Sequence, residues 1–109
     1  MATPGTYYRF LQDAAVSGNG TTLNPSETNL KREHAFYVRG NGALSAGAVQ
    51  IETSVDGNDS GTWAPLGTAV TLVANTTSIV QITGALLAVR ARITTAVDGG
   101  TVTVVYVGN

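Results

Sequence analysis

The chain has 109 residues, enough for one domain with its own core. It has no cysteine, which excludes disulfides and thiolate metal sites, and only 12% of its residues are charged, 6 basic against 7 acidic. A net charge of -1 gives no field to gather nucleic acid or an anionic membrane, and so few charges weaken self-repulsion and favour an assembled state.

Met1 to Gly5 carries no basic region and no apolar run, so it does not read as a secretory signal. The uncharged stretches are broken by Gly, Asn and Thr, so none reads as a membrane-crossing helix. Thr6 to Leu11 is dense in aromatics for a chain that is 6% aromatic. Residues 1–11 therefore read as a first strand, or as an arm that docks on a neighbour through Tyr7, Tyr8 and Phe10, residue types enriched at interface cores. Residues 12–109 read as the main β domain.

Gly18-Asn19-Gly20 and Asn24-Pro25 are turn formers, with short strands expected around 14–16 and 21–23. Ser26 to Glu33 reads equally as a short helix capped by Ser26 or as an irregular loop. His34 to Arg39 alternates, with His34, Phe36 and Val38 on one face. Gly40-Asn41-Gly42 is expected to end that strand in a hairpin, because Asn-Gly suits a tight type I′ turn. In the next strand Val49, Ile51, Thr53 and Val55 face in, while Gln50, Glu52 and Ser54 face out. Asp56 to Gly61 is a polar loop, and Pro65 between Trp63 and Leu66 predicts an edge strand or a bulge. Strands over 69–73 and 78–83 bracket a turn at Asn75. The triplets at Asn19, Asn58 and Asn75 that match a glycosylation pattern read as turn residues.

The stretch from Ile79 to Val107 organises the rest. Val89, Ala91 and Ile93 alternate with Arg90 and Arg92, and Asp98-Gly99-Gly100 predicts a hairpin into the last strand. That strand is apolar on both faces: Val102, Val104 and Tyr106 on one, Val105 and Val107 on the other. It is expected to be central or covered by a second chain. Turn signals at roughly ten-residue spacing predict an all-β, two-sheet β-sandwich of about eight or nine short strands.

Chemistry-bearing residues are few. His34 is the sole histidine, and no nucleophile-elbow sequence stands ready to pair with it. It reads as a strand histidine near a surface or interface. Asp56 to Gly61 offers oxygen ligands for calcium, but Gly67 stands where the EF-hand pattern needs its glutamate, so a polar turn is the stronger reading. Trp63 with Tyr37 or Tyr106 offers a sugar-stacking platform, weighed against a place in the core or its rim. Arg39, Arg90 and Arg92 fall on outward positions of different strands. As neighbours they would form a small basic patch for Glu52 or for a partner's carboxylates; otherwise they make cross-strand charge pairs on a solvated face. With no cofactor, no metal site and little for acid–base work, an enzyme is not expected.

Val49-Gln50-Ile51-Glu52-Thr53-Ser54-Val55-Asp56-Gly57, Trp63-Ala64-Pro65-Leu66-Gly67, Val89-Arg90-Ala91-Arg92 and Gly99-Gly100-Thr101-Val102-Thr103-Val104 resemble segments of small virion proteins of tailed bacteriophages, in particular head decoration (cement) proteins. The resemblance spans about residues 47–107. It implies a jelly-roll-like sandwich, a homo-oligomer with a trimer favoured, and a place on the capsid surface of a virion assembled in the host cytoplasm. It implies the major capsid protein as partner and carries no catalytic residues across. A phage tail or fibre module that recognises a host surface glycan is the alternative. For partner contact the sequence points to Tyr7, Tyr8, Phe10, Arg39, Arg90 and Arg92.

Overall fold

The computed structural model describes residues 6–14, 18–19, 32–54 and 62–109, and the side chains of 32–54 and 62–109. Among these the chain is all-β and antiparallel. Strands β1 (Thr6–Ala14), β2 (Gly18–Asn19), β3 (Glu33–Ser54), β4 (Trp63–Pro65), β5 (Val70–Thr71), β6 (Thr76–Thr83) and β7 (Ala88–Gly108) join one hydrogen-bonded sheet. Of the segment 26–33, read equally as a short helix or an irregular loop, residues 26–31 lie outside the described set, and Glu33 opens β3. The 56–61 loop and the strand at 21–23 also lie outside it.

Instead of short strands throughout, two long ones dominate: β3 has 22 residues and β7 has 21. They pair with each other from His34↔Gly108 to Ser54↔Ala88. The hairpins expected at Gly40-Asn41-Gly42 and at Asp98-Gly99-Gly100 are not there. Both glycine clusters lie in mid-strand and face one another, with Gly42 opposite Gly100 and Ala46 opposite Asp98. The register slips between Gly42 and Val49, as bulges require. Gly42 and Gly99 take φ of 92° and 85°, so the positive φ that a turn would use here serves a bend. A Cβ on Gly100 would collide with the Asn41 carbonyl oxygen, and one on Gly99 with that of Ala43. Glycine at this corner lets two backbones come together.

On one side of the corner the β3–β7 pair is flanked by β1 and β6; on the other side it is flanked by β2, β4 and β5. The inward residues of both parts join one cluster. Phe36 stands opposite Tyr106 and Val38 opposite Val104, then Val49 opposite Ile93 and Ile51 opposite Ala91, and none of these eight is more than 3% exposed. Burying each large side chain contributes about 1.5–3 kcal/mol. Leu72 and Val97 fill the corner against Gly47. Asn75, at φ 51°, accepts a hydrogen bond from the Gly42 N–H at 3.0 Å, so it acts as the turn residue expected and also ties the β5–β6 turn to the bend.

Candidate functional site

Three places hold the residues singled out above. The first is a charge cluster on the face of β3 and β7 opposite the core. Glu52 and Arg90 are direct cross-strand partners, and Arg92 is diagonal to them beside Gln50. Arg90 Nε donates to Glu52 Oε1 at 2.7 Å, and Arg92 Nη2 lies 3.2 Å from Oε2. The Arg90 guanidinium sits 4.2 Å from the centroid of the Trp63 ring, a cation–π contact. The expectation that Glu52 and Arg90 point outward into solvent does not hold: they are 5% and 7% exposed. Strand β4 pairs with β3 at Ser54↔Trp63 and Glu52↔Pro65, and this brings the Trp63 indole over the pair. Arg90 is thereby occupied within the molecule, while the Arg92 side chain stays 41% exposed. Arg39 is not part of this cluster. It lies before the bend and donates to Asn41 Oδ1 and Thr77 Oγ1.

The second place surrounds His34, which is buried rather than near a surface. Its Nε2 lies 2.8 Å from the Gly84 carbonyl oxygen, a pure acceptor, so the proton belongs on Nε2. Nδ1 then accepts the Tyr106 hydroxyl proton at 2.6 Å. The Tyr106 ring reaches His34 by lying over Gly108, where a Cβ would strike the phenol. Both imidazole nitrogens are thus committed, and His34 has no free lone pair for a nucleophile. A depression of about 270 Å³ opens beside it, lined by Glu33, His34, Gln81, Thr83, Val107 and Asn109 among others. Among the described residues Glu33 is the one acidic side chain in that lining. Among the described residues no three His, Cys, Asp or Glu side chains converge on a metal position.

Burial pushes the Tyr106 hydroxyl up to about 12 from 10.0. The sign follows from proton counting. Between these pH values the unfolded chain has released the phenolic proton and the folded chain still holds it, so stability falls as pH rises. The expected loss is roughly 2–3 kcal/mol from pH 10 to pH 12, at about 1.4 kcal/mol per pH unit. Urea unfolding across that range checks it, and Tyr106→Phe should remove this part of the slope.

The third place is the outward face of β6, β3 and β7 before the bend. Ile79 stands opposite Tyr37, and Tyr37 opposite Val105; they form an apolar row in which Ile79 is 53% and Tyr37 39% exposed. Tyr7, Tyr8 and Phe10 belong to β1, where Tyr7 pairs with Val107 and Tyr8 with Tyr106. Residues 6–11 are therefore woven into the sheet as an edge strand. The proposed sugar platform is not assembled with Tyr106, which is fully buried, and Trp63 and Tyr37 lie on opposite sides of the bend.

The pairing with Glu52, one of the readings offered for the arginines, holds for Arg90 and Arg92, while the cover that Trp63 provides was not foreseen. The available signal was one acidic residue and two arginines at matching alternate positions in strands able to pair.

Fold and side chains together define an antiparallel all-β domain whose clustered polar groups are spent on holding strands to one another. The same fold occurs in the SPBc2 prophage-derived protein YomS, at 17% identity and a TM-score of 0.66, covering 100% of this chain and 97% of that one. It also occurs in the PBSX exported protein XepA, at 16% identity and a TM-score of 0.67, covering 95% of this chain and 37% of that one. No protein-family model and no curated protein sequence matches the chain.

Proposed function

We propose that the chain is a non-enzymatic structural protein of a bacteriophage virion, of the head decoration type, which binds the assembled head through protein–protein contacts. The observation that carries this reading is the end-to-end fold likeness to a prophage-derived protein of nearly the same length. The internal pairing of His34, Glu52 and Arg90 supports it, because these groups are spent on scaffold. In this reading the bent sheet closes as a two-sheet, jelly-roll-like sandwich, each half covering the other across the shared core. The protein is a homo-oligomer on the capsid surface, and the major capsid protein is its partner. Contacts come from Tyr7, Tyr8 and Phe10 of β1 and from Arg39, Arg90 and Arg92, with Arg90 and Arg92 sharing Glu52. A protein that binds only the assembled shell stabilises that shell by mass action.

Quantitative mass spectrometry of purified particles tests this. The expected result is a copy number that scales with that of the major capsid protein. A few copies per particle would move the chain to the tail or fibre, and none would overturn the virion reading.

A further inference from the structure

We propose that β6 is a self-pairing edge, joining two copies of this chain through an antiparallel β6–β6 ladder. The inference deepens the homo-oligomer named above and rests on that part of the reading alone. It replaces the three-fold order that the resemblance implies with a two-fold one.

A sheet edge offers a row of unpaired backbone donors and acceptors, and soluble proteins blunt such edges with charges, proline, bulges or shortness. The edges of this sheet differ in that respect. Strand β1 is broken by two register shifts, between Arg9 and Leu11 and between Leu11 and Ala14. Strand β4 has three residues and ends on Pro65, and β5 has two residues. Strand β6 has none of these devices. It runs eight residues, Thr-Thr-Ser-Ile-Val-Gln-Ile-Thr, with no charge, proline or glycine. Its pairing with β3 is regular from Glu33↔Thr83 to Gly40↔Thr76. Among the described residues no strand lies on its other side.

The side chains name the occupant. In an antiparallel pair, residues directly opposite share a face. A two-fold axis through Ile79 sets Ile79 against its counterpart in the second copy and Thr77 against Gln81. Ile79 is 53% exposed as an isolated chain and stands at the end of the Ile79–Tyr37–Val105 row. The pairing runs that row unbroken from one copy into the other. On the core side, Val80 and Ile82 are only half-buried at the same edge, and the second copy's β6 would flank them. The strand is neutral throughout, so no like charges oppose one another. An isologous contact of this kind closes on itself and does not propagate into a filament.

Sedimentation equilibrium of the full chain is the test, compared with Ile79→Lys and with Val107→Lys. The last is an outward control on β7, away from the edge. Ile79→Lys sets two ammonium groups face to face and should weaken dimerisation about a hundredfold or more. Its thermal unfolding by circular dichroism should stay folded-like, and Val107→Lys should dimerise as the parent does. Amide exchange in β6 of the parent chain should also slow as concentration rises, a reading that needs no variant. A parent that is monomeric at all concentrations overturns the proposal, as does a trimer or larger ring, or association unaffected by Ile79→Lys. These results concern the isolated chain, and the particle copy number is independent of them.

Discussion

Replacing Glu52 by alanine should cost about 3–5 kcal/mol of folding stability, the largest loss expected from any single polar residue described. Arg90 would keep its place beneath Trp63 with no counter-charge, at 7% exposure. Arg92 gives no relief, because its own charge is of the same sign and already reaches solvent. A domain of this size has about 5–15 kcal/mol in total, so the variant should melt about 15 °C or more below the parent. The cost comes from orphaning a charge and not from the pair's intrinsic worth. Replacing Glu52 and Arg90 together by methionine should therefore recover most of the loss. Urea titrations of the parent, the single and the double variant check this. Equal losses in both variants would mean that the pair itself supplies the stability.

Gly100→Ala should be nearly as damaging, at about 3 kcal/mol or more, above the usual cost of an added methyl in a filled interior. The new Cβ would collide with the Asn41 carbonyl oxygen, which is backbone and cannot rotate away, and it would also crowd Leu44. Gly67→Ala is the control. Gly67 also has positive φ, 71°, but open space surrounds its missing side chain. Only the left-handed conformation is penalised there, at about 1–2 kcal/mol. Thermal unfolding of the two variants separates the effects. If Gly100→Ala were as mild as Gly67→Ala, the close approach of β3 and β7 at the bend would not be a constraint on folding.

The two predictions mark two kinds of information. Period-two alternation is local, and it correctly put Phe36 with Val38, Val49 with Ile51, and Val89 with Ile93 on shared faces that prove to be interior, while in the last strand, apolar on both faces, only the structure chose Val102, Val104 and Tyr106 as the inner set. The edge character of the Trp63–Pro65 run and the turn at Asn75 were legible for the same reason, since proline and a left-handed asparagine act on their own backbone. All-β class follows from these local signals together.

Other features depend on what lies across the ladder. Asn41-Gly42 and Asp98-Gly99 carry the vocabulary of hairpins, and positive φ suits a reversal and a bulge equally. The pairing of Gly42 with Gly100, residues far apart in the chain, turned both into the corner of two long strands. Glu52 occupies an outward position by alternation, and only the arrival of β4 with Trp63 on that face buried it against Arg90. His34 likewise gained its two partners from Gly84 and Tyr106, 50 and 72 residues away along the chain. Local residue pattern thus fixed which side chains of a strand share a face, because side-chain direction is a property of the strand alone. Which strands run through, and which charges lose their water, followed from register between distant segments, because burial of the second face needs a neighbour that alternation cannot specify.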